Sequence, residues 1–104
     1  MDAADLYEGL ELAGYPVAYG KFRSAPELPY IVYVFIEAAD LMADNTNYHG
    51  VGDYHVELYT ANKDPTAEAA VETQLKALGL PFGKLEAFVE SEDMYQVLYE
   101  VRLI

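Results

Sequence analysis

Two stretches of the chain carry apolar residues at the spacing of a helix. In the first, Leu6, Leu10 and Ala13 recur every three or four residues and therefore fall on one helical face. Asp2 precedes this stretch and is a residue type that caps helix N-termini well. The pattern predicts a short first helix over about residues 3–13.

The second helical stretch has clear signals at both ends. Asp64 is a suitable N-cap, and Pro65 occupies the first helical position, where its missing N–H costs nothing. Gly79 is a typical helix end. The apolar positions between them share one face: Ala67, Val71, Leu75 and Leu78.

Other segments have the composition or the alternation of strands. Tyr30–Ile36 is β-branched and aromatic throughout, and its lack of alternation predicts a strand that is covered on both faces. Tyr54–Ala61 alternates, so Tyr54, Val56 and Leu58 are expected on one face. Val17–Phe22 is short and β-prone and is a further predicted strand.

The last quarter of the chain predicts a β-hairpin. Leu85–Glu90 and Met94–Leu103 are its two strands, and Ser91–Asp93 forms the turn. The second strand alternates strictly, which places five residues on one face: Tyr95, Val97, Tyr99, Val101 and Leu103.

The predicted order of elements is α-β-β-β-α-β-β, which indicates an α+β domain. We expect a mainly antiparallel or mixed β-sheet with two helices packed on one face. The polar, Asx- and Gly-rich segment 40–52 is expected to form the arm of a long β-hairpin. Because 104 residues suffice for one core and no linker interrupts them, the chain is predicted to be a single domain over 1–104.

The charge of the chain narrows the classes of partner. Its formal net charge is −12, from 18 acidic and 6 basic residues, and the few basic residues form no stripe. This balance argues against binding to a nucleic-acid backbone and against an anionic membrane surface. The chain has no Cys, no secretion signal and no apolar run near the length of a membrane helix. We therefore expect an intracellular, soluble protein.

The residues do not form a recognisable catalytic constellation. Ser24 and Ser91 lack the context of a nucleophile elbow, and there is no phosphate-binding glycine motif. His49 or His55 could act as a general base with Asp53 as its orienter, but a loop histidine and an outward-facing strand histidine explain the two more simply. The sequence therefore predicts no enzyme, no catalytic residue and no cofactor.

Oxygen-bearing side chains cluster between the second and third predicted strands, and such side chains are the ligands that Ca²⁺ prefers. Their spacing differs from that of an EF-hand loop, and Asx-rich turns commonly serve local hydrogen bonding instead. A zinc site at His49, Asp53 and His55 would have too few supporting ligands. We predict no metal site. The clustered residues are Asp40, Asp44, Asn45, Asn47 and Asp53.

The chain has 10 Tyr against 4 Phe and no Trp, and Tyr is enriched in protein interfaces. Some of these tyrosines are expected on the sheet face that the helices leave open, where they could form an interface. The alternative is equally weighted: their rings complete the core of the folded chain and their hydroxyls face water. The acidic hairpin turn could dock against a basic neighbour. The candidate interface residues are Tyr33, Asp44, Asn45, Asn47, Tyr48, Tyr59, Glu92 and Asp93.

Several segments, in this order and spacing, resemble a known group of proteins. They are Pro29–Tyr33, Ala43–Asn45, Tyr54–Thr60, Lys63–Pro65 and Val89–Val101. Together they resemble small structural proteins that siphophages and prophages of Gram-positive bacteria encode in their head–tail morphogenesis cluster. Within that group, the chain is similar to tail-completion or tail-terminator proteins.

The resemblance implies a sheet flanked by helices and a ring of identical subunits, typically a hexamer, that caps the tail tube and joins it to the head connector. It implies no catalytic residues. The expected partners are the chain itself and the tail-tube and head–tail connector proteins, in the host cytoplasm during assembly and then in the tail or neck of the virion. A ring of acidic subunits would present a negative lumen to passing DNA.

The net charge also motivates an alternative from another class. An acidic inhibitor that mimics DNA would occupy a basic groove on a partner protein. Such a mimic needs carboxylates at regular intervals along one face. The first predicted helix carries one short acidic stripe of this kind, and the other carboxylates are dispersed. The stripe consists of Asp2, Asp5, Glu8 and Glu11.

Overall fold

A computed structural model describes residues 1–38 and 52–103 of the chain. Within these ranges the order of helices and strands is the predicted α-β-β-β-α-β-β. The predicted arm over 40–52 lies outside the described residues, except for Gly52, the first residue of a strand. The elements are α1 Ala3–Glu11, β1 Val17–Tyr19, β2 Tyr30–Ala38, β3 Gly52–Thr60, α2 Pro65–Ala77, β4 Phe82–Val89, a single 3-10 turn Glu90–Glu92, and β5 Met94–Leu103.

The five strands form one mixed sheet in the order β1-β2-β3-β5-β4. β1 runs parallel to β2, and every other neighbouring pair is antiparallel. β5 inserts between β3 and β4, so the helix α2 carries the chain over the sheet from one side of β5 to the other. The predicted α+β class with a mixed sheet is confirmed.

Side-chain caps fix the starts of both helices, as predicted. Asp2 accepts a hydrogen bond from the backbone N–H of Asp5 at 3.0 Å, and the Asp5 carboxylate accepts one from the Asp2 N–H at 3.0 Å. In α2, the Asp64 carboxylate accepts from the Ala67 N–H at 3.0 Å. These bonds satisfy backbone donors that the first helical turn leaves without partners.

Both helices pack on the same face of the sheet, and the core lies between them. Leu6 and Leu10 of α1 and the predicted stripe of α2 meet the side chains that alternate toward them from the central strands. Because the register aligns Ile31, Leu58 and Val97 across three strands, these side chains form one apolar row. The next row is Tyr33, Val56 and Tyr99.

Four of the five predicted strands have different bounds in the structure. β2 extends two residues farther than predicted, to Ala38, and β3 covers Gly52–Thr60 instead of 54–61.

A turn sets the end of β1, and strand pairing sets the start of β4. The strand predicted over 17–22 ends at Tyr19, because Gly20 adopts a φ of 76° and its N–H donates to the Tyr33 carbonyl at 2.9 Å. The strand predicted over 85–90 is β4, which begins three residues earlier, at Phe82. Pairing with β5 sets this start, because Phe82 lies opposite Val101.

The prediction that β2 is covered on both faces holds only for its first half. Val32 points away from the helices and is still only 4% exposed. Farther along, Phe35 and Ile36 are 42% and 45% exposed. The register shifts between Phe35 and Glu37, which marks a β-bulge, and β1 pairs only as far as Tyr33. Among the described residues, the second half of β2 is therefore open.

Candidate assembly interface

Half of the predicted interface residues lie outside the described part of the chain. These are Asp44, Asn45, Asn47 and Tyr48. The structure places the other four in three different environments, which are a core position, the open sheet face and the turn between β4 and β5.

Tyr33 belongs to the core. It is 8% exposed and faces the helices, with its ring centroid 6.0 Å from that of Tyr7 and 5.1 Å from that of Tyr19. Burial raises the pKa of its hydroxyl. In the folded subunit, Tyr33 therefore supports the tyrosines around it instead of facing a neighbour.

Tyr59 lies half-buried on the face of the sheet opposite the helices, which we call the open face. Its hydroxyl donates to Glu57 Oε1 at 2.8 Å and accepts from Gln96 Nε2 at 2.9 Å. Burial and the bond to Glu57 raise the pKa of Tyr59 to about 12. Its ring centroid lies 5.2 Å from that of Tyr30. Tyr59 is thus fixed in orientation while part of its ring stays accessible.

Glu92 and Asp93 are exposed at the turn between β4 and β5. Asp93 adopts the left-handed conformation with a φ of 50°, and its N–H donates to the Glu90 carbonyl at 3.2 Å. This turn carries three carboxylates and no basic residue, so it forms an acidic projection at one end of the sheet. It is available to a cationic neighbour.

Most of the described tyrosines pack in the core or at its margin. Tyr99 is fully buried, and only Tyr19, at 55% exposure, counts as an exposed large side chain among them. Tyr33 is buried as well, and the others lie at intermediate burial, most with their rings against neighbouring aromatic side chains, as in the 5.5 Å contact of Tyr54 with Phe35. Among the tyrosines that the structure describes, the candidates for an interface are therefore partly exposed rings such as Tyr59.

The open face contains a shallow groove of about 470 Å³ beside Tyr59. Its floor includes Tyr30 and Val32, and the connection between β1 and β2 forms one wall through Phe22, whose ring lies 5.2 Å from that of Tyr30. Glu92 lines the other side, and its charge adds to burial in raising the pKa of Tyr30. The groove therefore combines an aromatic floor with an acidic rim.

The outer edge of the sheet is formed by β4, which pairs only with β5 among the described elements. Nearly all of its residues are exposed, including Leu85 at 58% and Phe88 at 46%. Exposed apolar side chains along an unpaired strand edge are typical of surfaces that another chain covers.

Ion pairs tie this edge strand to α2. Lys84 Nζ of β4 lies 2.8 Å from Glu68 Oε1 and 2.7 Å from Glu72 Oε2. Lys63 Nζ, just before α2, lies 2.7 Å from Glu68 Oε2 and 2.6 Å from Glu86 Oε1 of β4. We call these five residues the α2–β4 network. It holds β4 in place from the side that the helix covers.

Burial and charge act against each other within the α2–β4 network. Burial alone would raise the pKa of Glu68, but the two ammonium groups outweigh it, so that pKa lies below its usual range. Hydrogen bonds to Glu68 and Glu72 raise the pKa of Lys84. Burial, followed by its 2.8 Å bond to Glu72, strongly raises the pKa of Tyr99. The network is therefore ionised, with a neutral tyrosine beside it.

Sequence reasoning missed the α2–β4 network. Glu68 and Glu72 lie four residues apart on α2, and Lys84 and Glu86 lie two apart on a strand, so each pair shares a face. Only the register of β4 against β5, and the position of α2 above them, shows that the two pairs meet. The only signal in the sequence was the spacing of the residues within each pair, which does not show that the two pairs meet.

Of the positions considered for a metal site or a catalytic base, the structure describes Asp53 and His55. Among residues 1–38 and 52–103, no three His, Cys, Asp or Glu side chains are grouped so that they could hold a metal ion. Asp53, the suggested orienter of His55, instead accepts hydrogen bonds from Arg102 at 2.7 and 3.2 Å. No described helix combines the length and apolar character needed to cross a membrane.

Comparisons with known proteins reveal a structural likeness. No family model and no curated protein matches the chain. The structure is similar to a chain in the solved structure "Virion of native gene transfer agent (GTA) particle", with a TM-score of 0.59 and 22% sequence identity. The likeness covers 96% of this chain and 92% of the other. The two proteins therefore share one α+β fold over nearly their whole lengths.

Proposed function

We propose that this chain is a structural protein of a phage-like virion that acts by assembly and not by catalysis. Within the virion, we assign it to the tail-completion, or tail-terminator, position. There, a ring of identical copies would close the end of the tail tube and join it to the head–tail connector.

The observation that carries the proposal is the shared fold. A chain of a gene transfer agent virion has this arrangement of helices and strands across 92% of its own length. The resemblance of the sequence to tail-completion proteins points to the same class of protein and adds the position in the tail. The shared fold and the resemblance of the sequence segments thus both support a phage-like structural role.

The surface of the domain supports a role in assembly. The groove beside Tyr59, the acidic turn at Glu92 and the open second half of β2 are three exposed features in one small domain. A ring requires two different surfaces on each subunit, because heterologous contacts repeat from one copy to the next until the circle closes. The domain offers enough distinct surface for this geometry.

The net charge of −12 fits a position that DNA passes. Each copy adds negative charge to the ring, and like charges on the lumen and on the phosphate backbone repel each other. A lumen of this kind would let DNA move through without binding. The same charge keeps the free subunit soluble until it assembles.

The proposal is tested by mixing the purified chain with the tail-tube protein of the same particle. Light scattering measures the molar mass, and negative-stain images show the shape of the product. We expect rings at the ends of tubes that are blocked from further growth, and no such rings with the tail-tube protein alone.

Two results would contradict the proposal. One is a chain that leaves tube length and tube ends unchanged at every ratio of the two proteins. The other is tight, salt-sensitive binding to a basic DNA-processing protein with no response to tube protein, which would favour the DNA-mimic alternative.

A further inference from the structure

The edge strand β4 has the properties of a pairing surface. It is eight residues long and contains no proline, and its residues extend without a register shift against β5. Leu85 is exposed on the open face and Phe88 on the helix-covered face. Proteins usually blunt such an edge with a short strand, a proline, a bulge or charges, because it otherwise templates another strand.

The opposite edge of the sheet is blunted in this way. β1 has only three residues, against eight in β4. Beyond the end of β1, the Tyr19 hydroxyl accepts a hydrogen bond from the Phe35 N–H of β2 at 3.2 Å. This bond satisfies a backbone donor of β2 that could otherwise pair with another strand. The two edges therefore differ, and β4 is the one suited to strand pairing.

We infer that β4 pairs antiparallel with β4 of a second copy of this chain, across a two-fold axis at Leu85. Each residue of β4 then faces the residue equally far on the other side of Leu85 in the second copy. The two five-stranded sheets become one continuous sheet.

Apolar side chains meet on both faces in this register. On the open face, Leu85 faces Leu85 of the second copy, and each already lies beside Leu98 of its own β5. On the helix-covered face, Phe82 faces Phe88 of the second copy, twice. Direct cross-strand neighbours of this kind stabilise antiparallel pairing.

Charge selects the same register. With the axis at Leu85, Lys84 faces Glu86 of the second copy, and the pair occurs twice by symmetry. Moving the axis one residue in either direction brings Glu86 opposite Glu86, or Lys84 opposite Lys84, and like charges directly opposite each other oppose pairing. The sequence of β4 is thus complementary to itself around Leu85.

The charges of β4 that point toward the helices do not block this contact. Inward-pointing charges can prevent an edge strand from pairing with another chain, because such pairing would bury them without a partner. Here Lys84 and Glu86 already have partners in the α2–β4 network, at 2.7–2.8 Å and 2.6 Å. Both residues therefore enter the contact with an ion-pair partner of their own, and the second copy adds a further opposite charge beside each of them.

A two-fold contact stops at two copies, so it is distinct from the contacts that would close a ring. It covers the exposed edge of the free protein and does not depend on the tail-completion role. A dimer that fails to cap tail tubes would therefore contradict only the proposed function.

Sedimentation equilibrium and light scattering of the whole chain test the inference. Because strand-edge interfaces are small and weak, the series should extend to about 0.5 mM. We expect a reversible monomer–dimer equilibrium. Leu85→Lys and Leu85→Glu should each raise the dissociation constant at least about tenfold, because like charges then face each other. An equimolar mixture of the two variants should restore the dimer.

Leu12→Lys and Leu12→Glu are the matched controls, because Leu12 is 74% exposed and follows α1. They should dimerise like the original chain, and circular dichroism should show that all four variants fold. A chain that is monomeric throughout the series would overturn the inference. So would a dimer that Leu85→Lys leaves intact, or an equimolar mixture of the two folded Leu85 variants that stays monomeric.

Discussion

At the scale of single residues, Glu68 shows how the chain places a charge inside a small domain. Its side chain is only 6% exposed, yet each of its oxygens lies within 2.8 Å of a lysine ammonium. A buried carboxylate without such partners would be costly, whereas a paired and hydrogen-bonded one is tolerated. Glu68 thereby connects α2 to the edge strand β4.

Replacing Glu68 by Ala should destabilise the domain by about 1–3 kcal/mol, because Lys63 and Lys84 lose a shared acceptor. Urea unfolding followed by circular dichroism measures the change. Glu8→Ala on the exposed side of α1 is the control and should stay within about 0.5 kcal/mol of the original chain. Equal stability of the two variants would show that Glu68 contributes nothing as an acceptor.

The contribution of Glu68 should depend on pH in a defined direction. Its pKa in the folded chain lies below 4.5, the ordinary value for a glutamate, so the folded state holds the proton less tightly than the unfolded state. The stabilisation is therefore fully present above about pH 4.5 and is lost as pH falls through the folded pKa. The stability difference between the original chain and Glu68→Gln should shrink on acidification, and a constant difference would contradict this assignment.

At the scale of elements, local signals determined some boundaries, and pairing determined others. α2 and β5 lie where the sequence predicts them. The Asp64 cap followed by Pro65 marks the start of α2, and strict alternation marks β5, and both signals lie within the element itself. β1 ends earlier than predicted because the chain turns at Gly20, whose N–H donates to the Tyr33 carbonyl. β4 begins earlier than predicted because Phe82 pairs with Val101. Such partners are distant in the chain, so single-sequence patterns do not show them.

The candidate interface was less predictable than the fold for the same reason. Tyr33 and Tyr59 are both strand tyrosines, and their residue type does not reveal which face the helices cover. The face follows from the register, which places Tyr33 beside Val56 in the core and Tyr59 beside Gln96 on the open face. Sequence reasoning therefore selected strand tyrosines without distinguishing the two positions.

The cap of α2 offers a test at this scale. Asp64→Ala removes the acceptor of the Ala67 N–H and should cost about 1 kcal/mol, within a range of about 0.5–2 kcal/mol. Asp64→Asn keeps an acceptor oxygen and should cost much less. Thermal and urea unfolding of the two variants measure the difference, and equal losses would show that the cap oxygen is not the stabilising group.

At the scale of the whole molecule, the net charge of −12 is the dominant electrostatic property. Carboxylates that are not paired repel one another across a domain of this size, and dissolved salt screens that repulsion. The ion pairs of the α2–β4 network are screened too, but they involve only two of the 6 basic residues, against 18 acidic ones.

Raising NaCl from about 0.05 M to about 0.5 M should therefore stabilise the domain, since the Debye length falls from above about 10 Å to a few ångströms. Urea is the suitable denaturant, because guanidinium chloride is itself a salt. The urea midpoint should rise with salt. A midpoint that falls would mean that attractive pairs outweigh the excess of negative charge.

The assignment to a virion is the central claim, and locating the chain in particles tests it most directly. Phage-like particles released by cells that encode the chain would be purified, and gold-coupled antibodies against the chain would be imaged by electron microscopy. We predict label at a single site per particle, at the junction between tail and head. Particles that lack the chain altogether, while the cells still produce it, would contradict the virion assignment, and label along the whole tail would contradict the terminal ring.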